Sequence, residues 1–210
     1  MAIGAFGVLS TSPARAHFYL ASPTNWVTHN AGSGAPQKKA PCGNEAATAP
    51  DGVPSGVITG LASNADGTTS VTITIHEVVQ HAGWYRVSIV PGPSSTQTTA
   101  TLPDPTTPAT TCAANIETTP VLPVVADNVF RHTAAFTQPQ SVQIKLPANI
   151  ACSHASPCTL QIVEVMDDGG HFPPGCFYHH CADISISTAS DGGSGGGSSD
   201  TSSMDDAAEA

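Results

Sequence analysis

The sequence predicts an all-β protein, an antiparallel β-sandwich of the immunoglobulin or fibronectin kind with long loops and disulfide staples. Three observations predict it. Short segments alternate apolar and polar residues with a period of two. Turn-forming residues are abundant, with 19 Gly and 18 Pro in 210 residues, and no segment keeps a 3.6-residue apolar stripe. Six cysteines lack the spacing of a cytosolic metal site and suggest up to three disulfides formed in an oxidising compartment.

The chain opens with a short apolar run, Ile3 to Leu9, followed by Ala14-Arg15-Ala16-His17. Small residues at 14 and 16 form the pattern that signal peptidase cuts after, so residues 1–16 read as a signal peptide and His17 as the mature N-terminus. Strands follow. Val71-Thr72-Ile73-Thr74-Ile75 alternates as a half-buried strand should, as do Tyr85-Arg86-Val87-Ser88-Ile89 and Val142-Gln143-Ile144-Lys145-Leu146. Residues 159–166 make a longer strand with a partly continuous apolar stretch, and residues 183–186 close the domain. Residues 91–111 form a long Pro/Thr/Ser loop. The domain is expected over residues 17–189. Residues 190–210 are Gly, Ser, Asp and Ala with five acids and no base in the segment from 191, which reads as a disordered tail or linker.

Charge excludes one class of partner. The formal net charge is −10 with only six basic residues, so nucleic acid, which needs clustered Lys and Arg, is not expected. Nothing after residue 16 is apolar for long enough to span a membrane. No Gly-x-Ser-x-Gly elbow supports a serine hydrolase.

Nine histidines are many for a chain this poor in charge. His29, His132 and His154 sit in polar, turn-like contexts and read as solvated loop residues. His76 lies on the polar phase of its strand and reads as facing solvent or a covering loop. His81 is set apart by its context, Gln80-His81-Ala82-Gly83-Trp84-Tyr85, where it precedes a strand and Gly83 permits close backbone approach. In Cys176-Phe177-Tyr178-His179-His180-Cys181 two cysteines pin a strand, and in extended chain His179 and His180 point to opposite sides. His171 precedes this stretch. A tetrahedral zinc site from His171, His179 and His180 is an alternative use of the same residues.

Taken together, these pieces resemble lytic polysaccharide monooxygenases, and within them a bacterial group of secreted polysaccharide-monooxygenase-like proteins. The resemblance rests on four stretches in order: His17-Phe18-Tyr19-Leu20 after Ala16; His81-Ala82-Gly83-Trp84-Tyr85-Arg86-Val87 after Ile75-His76-Glu77; Cys158 to Met166; and Phe177 to Ile184. It spans residues 17 to about 188. It implies one copper ion held in a histidine brace, with the amine and ring of His17, a third nitrogen from His81, and Tyr178 as axial neighbour. Planar nitrogen donors suit Cu(II). Glu164 or Gln161 is expected to orient His81, and His171 or His179 to support the oxygen side. The family pattern has a glutamine shortly before the axial tyrosine, where this chain has Cys176. The implied activity is oxidation of a C–H bond beside the glycosidic linkage of chitin, cellulose or another glycan, by a secreted or cell-surface monomer using an external electron donor. Trp84, Tyr85 and Trp26 are candidates for stacking on the polymer or for the core. The resemblance pairs an early cysteine with the last strand, hence Cys42 with Cys181. Cys152 and Cys158 are close enough to close a small loop, which leaves Cys112 with Cys176. Two other readings compete, a non-catalytic copper carrier on the same fold and a carbohydrate-binding sandwich with incidental histidines.

Overall fold

The computed structural model describes residues 17–30, 32, 35, 37–43, 52–148 and 150–187. The expected signal peptide and tail lie outside these residues. Eight strands are present: β1 (His17–Ser22), β2 (Ile58–Ala62), β3 (Thr69–Val79), β4 (Gly83–Pro91), β5 (Val124–His132), β6 (Gln140–Leu146), β7 (Cys158–Met166) and β8 (Phe177–Ser187). They form two sheets, one ordered β1-β3-β6 and the other β2-β8-β7-β4-β5. The molecule is an all-β sandwich, as the alternating segments predict.

One pairing departs from a wholly antiparallel sandwich. β2 runs parallel to β8, from Ile58 opposite Asp183 to Ala62 opposite Ser187. A parallel neighbour requires a long crossover. Here that connection is residues 63–176, which holds β3 to β7.

The core lies between the sheets. Phe18, Leu20, Val71, Ile73, Ile75, Ile144 and Leu146 face Tyr85, Val87, Ile89, Leu160, Ile162, Tyr178, Ala182 and Ile184 in one buried cluster. Alternation along each strand sends these side chains inward. β7 differs, because every residue from Cys158 to Met166 is buried. Its outer face is covered too. Gln161 Nε2 donates to the Pro41 carbonyl (2.8 Å), and the Ser94 backbone N–H donates to Asp183 (2.7 Å). Arg86 donates to the Asn115 carbonyl and to Asp127. A strand covered on both faces takes apolar residues at both phases, which explains its partly continuous apolar stretch.

Three disulfides staple these coverings: Cys42–Cys181, Cys112–Cys176 and Cys152–Cys158. The first is the pairing the resemblance implies, and the other two join the remaining cysteines as suggested with it. The segment 92–123 is irregular apart from one 3-10 turn at Ser94–Thr96, yet it buries Leu102 completely. It is a folded cover over the outer face of the five-stranded sheet.

Candidate functional site

Five strand ends meet at one end of the sandwich. His17 opens β1 and pairs with Val79 at the end of β3. His81 is two residues beyond Val79, in the turn before β4. Gly83 opens β4 opposite Met166, the last residue of β7. Met166 N–H donates to the Cys176 carbonyl (3.0 Å), and Asp167 N–H to the Ala82 carbonyl (3.0 Å). The topology therefore brings His17, His81, the 167–176 loop and Tyr178 to the same end.

Gly83 is required by this arrangement. A Cβ there would lie 2.0 Å from the Val165 carbonyl oxygen. The close approach anticipated from the sequence is thus a direct strand contact, and it fixes where the His81 turn leaves the sheet.

His81 is 6% exposed. Its Nδ1–H donates to Asp168 Oδ2 at 2.7 Å. Its Nε2 is buried and has no hydrogen-bond partner. A carboxylate on one ring nitrogen and a lone pair left on the other is how metal-binding histidines are usually oriented. Asp168 also accepts from His171 Nδ1 (3.0 Å) and from the Gly170 N–H (2.8 Å). Partial burial pushes the Asp168 carboxyl up, but the hydrogen bonds from His81, His171 and Gly170 outweigh it and hold the group at about 2. The His81 and His171 rings meet edge to face at 4.3 Å. One ligand atom each from His81, Asp168 and His171 lies within 4.8 Å of the others.

The remaining expected residues occupy several different places. The His17 and Tyr178 rings are neighbours, 5.5 Å apart and tilted by 56°. The Lys38 ammonium lies 5.9 Å from the Tyr178 ring centroid. The partner at His81 is Asp168, not Glu164 or Gln161. Gln161 faces the outer side of its sheet and holds the Pro41 turn. Glu164 faces inward, away from that surface, opposite Tyr85. His179 also faces outward, with Nε2 donating to Asp104 (2.7 Å). His180 faces the core and donates from Nε2 to the Phe18 carbonyl (2.9 Å). His171, His179 and His180 therefore share no site, and the alternative zinc arrangement is not formed. Trp84 and Tyr85 are fully buried and Trp26 nearly so, which places all three aromatics in the core.

His132 reads as a loop residue in the sequence, but it ends β5 and is buried. Its Nε2 faces Glu77 Oε1 at 2.8 Å, and its Nδ1–H donates to the Phe130 carbonyl at 2.9 Å. Burial favours the neutral ring, but the Glu77 carboxylate and the Phe130 carbonyl outweigh it and raise the His132 pKa. Burial likewise pushes Glu77 up, and the hydrogen bonds from His132 and the Phe136 N–H outweigh it and lower its pKa. Glu164 is fully buried, and burial followed by the charges of Glu77 and Asp168 pushes its carboxyl well up.

Asp168, Glu77 and His132 are not singled out by the sequence as site residues, and Glu164 is singled out only as a partner for His81. Asp167-Asp168-Gly169-Gly170 has the composition of an ordinary turn. Val124-Val125-Ala126-Asp127-Asn128-Val129-Phe130 keeps no period of two, so nothing before His132 marks it as a strand residue. No protein family, curated protein or solved structure matches the chain.

Proposed function

We propose that this chain, once cut after Ala16, binds one copper ion through His17 and His81 and oxidises polysaccharide. The observation that carries the reading is the His81 ring, with Nδ1 tied to Asp168 and a buried Nε2 that has no partner, at the end of the sandwich where His17 begins β1. The donor types fit copper, because imidazole and amine nitrogens favour it in the divalent series. When bound, copper would supply one-electron redox chemistry directed at a glycosidic C–H bond, with electrons from an external donor.

The protein's own contributions follow from its groups. Asp168 fixes the tautomer and tilt of His81. The His17 α-amine, with a reference pKa of about 7.7–8.0, must release its proton to become a ligand, so affinity rises with pH in that range. Tyr178 brings a phenol beside the His17 ring. Phe172, 61% exposed and adjacent to His171, offers an aromatic face to a sugar ring, in place of the buried Trp26, Trp84 and Tyr85. The three disulfides suit an extracellular setting, and among the described residues no helix is long and apolar enough to cross a membrane.

The test is a copper titration on chain beginning at His17, followed by product analysis on chitin, cellulose and other glycans with a reductant. One tightly bound copper and oxidised oligosaccharides are expected. A second reading, a non-catalytic copper protein, is favoured by the burial of Trp26, Trp84 and Tyr85, the aromatics expected to stack on the polymer, and by the extra donors Asp168 and His171 beside His81. Tight copper binding without oxidised sugar on any glycan would establish that reading. No copper binding at all would sink both.

A further inference from the structure

A second cluster lies behind the His81 turn, and the copper reading does not use it. Glu77 on β3, His132 on β5 and Glu164 on β7 each bring one ligand atom within 4.8 Å of the others. The Glu77 and His132 side chains are 2% and 5% exposed, and Glu164 is fully buried. The three residues come from both sheets. The cluster is a polar junction inside a mostly apolar core.

Its members are aimed. His132 is anchored through Nδ1–H on the Phe130 carbonyl, which turns Nε2 toward the two carboxylates. That is the arrangement that orients histidine ligands. Glu77 Oε2 accepts the Phe136 N–H at 3.0 Å, which leaves Oε1 facing the cluster. The backbone feeding His132 is strained, with φ of +56° at Asn128 and +50° at Phe130, and the β4–β5 register shifts there. Non-glycine residues in this region cost on the order of 1–3 kcal/mol each and tend to mark functional geometry.

A separate observation points to a ligand. Neither oxygen of Glu164 makes a well-formed hydrogen bond, although the residue has no exposed surface and the Tyr85 hydroxyl lies within reach of it. The Tyr85 hydroxyl, on the residue paired with Glu164 across β4 and β7, makes no well-formed hydrogen bond either. Leaving buried polar groups unmatched is costly, about 1–3 kcal/mol each.

We propose that Glu77, His132 and Glu164 form a buried structural site for a divalent first-row cation of the zinc class, with the Tyr85 hydroxyl beside it. Two carboxylates balance the charge of the ion, and an imidazole with carboxylate oxygens is a donor set that zinc accepts. Zinc bonds of about 2.0–2.2 Å hold tetrahedral ligands roughly 3.3–3.5 Å apart, so the 2.8 Å gap between His132 and Glu77 opens by about half an ångström. Glu77 and His132 also lie within hydrogen-bonding reach of the His81 backbone. An ion here locks β3, β5 and β7 together directly beneath the His81 turn. The site is independent of cleavage after Ala16 and of copper.

The experiment uses the full chain carrying His17→Ala and His81→Ala, which removes the proposed copper ligands. It is unfolded with a chelator and refolded with or without zinc. One zinc per chain is expected to survive gel filtration, and cobalt in its place should give the visible bands of a four-coordinate site. Zinc at about a hundredfold over its Kd should raise the melting midpoint by roughly 5–10 °C. Glu164→Gln, nearly isosteric with the acid, should fold without zinc and lose both the bound ion and the shift. A midpoint indifferent to zinc with no ion retained would overturn the proposal, as would equal retention by Glu164→Gln and His132→Gln. Should Glu164→Gln fail to fold, the cobalt bands and zinc shift of the parent chain decide alone.

Discussion

His81 donates from Nδ1 to Asp168 across 2.7 Å while its Nε2 stays buried with no partner. The pair joins the β3–β4 turn to the loop after β7, so one short contact ties together two segments that are 87 residues apart in sequence. Its consequence for metal binding is direct. Asp168→Ala is expected to weaken copper binding by about 10–100-fold, as removal of an orienting carboxylate typically does. Competition against a chelator of known affinity, on chain beginning at His17, measures it. An unchanged affinity would show that His81 is aimed by something else.

The entry of β4 depends on a missing side chain. A Cβ at residue 83 would meet the Val165 carbonyl oxygen at 2.0 Å, a contact with backbone that no rotamer relieves. Gly83→Ala must push β4 away from β7 at the base of the His81 turn. A loss of about 2–4 kcal/mol is expected from strain of this kind. Thermal or denaturant unfolding checks it, and a variant as stable as the parent would mean that the two strands part freely there.

These two residues mark where the sequence was legible. Gly83 and His81 stood out because a turn histidine and a glycine opening an alternating segment serve neither core packing nor strand propensity. The strands with a polar phase, such as 71–75 and 142–146, were readable because one face of each carries polar residues at a strict period of two. Asp168 was not, because its role exists only once the turn after β7 folds back on β4. His132 was missed because β5 is bulged, with left-handed residues at 128 and 130 that break the alternation. β2 was missed because a short edge strand paired in parallel carries almost no pattern of its own.

The Cys42–Cys181 bond closes 139 residues, the longest span of the three disulfides. It also anchors local structure, since Trp26 Nε1 donates to the Cys42 carbonyl at 3.0 Å and Trp26 N–H to the Cys181 carbonyl at 2.9 Å. The paired variant Cys42→Ser, Cys181→Ser is expected to lose about 4–5 kcal/mol, near the upper end for disulfides because the closed loop is long. Chemical denaturation under non-reducing conditions measures the difference. The short Cys152–Cys158 bond, removed in the same way, should cost distinctly less, and the reverse ranking would contradict the argument from loop length.

His180 makes acid stability a local question. It is fully buried between the sheets, donates from Nε2 to the Phe18 carbonyl, and packs edge to face against the Phe18 ring at 4.7 Å. Burial disfavours the imidazolium, and the nearby His29 and His179 add to this, so its pKa falls from 6.5 to about 3. The sign follows from linkage. Between about pH 6.5 and pH 3 the unfolded chain binds a proton at this residue and the folded chain does not, so stability falls as pH drops. One proton contributes about 1.4 kcal/mol per pH unit, or up to roughly 4–5 kcal/mol over the whole window. His180→Gln keeps a donor for the Phe18 carbonyl but cannot titrate. Unfolding free energies of parent and variant, measured at several values from pH 7 to pH 4, should therefore diverge in slope below about pH 6, with the parent falling faster. Parallel curves would mean that His180 takes up a proton in the folded state as readily as in the unfolded one, and that its burial in the core is less complete than its contacts with Phe18 imply.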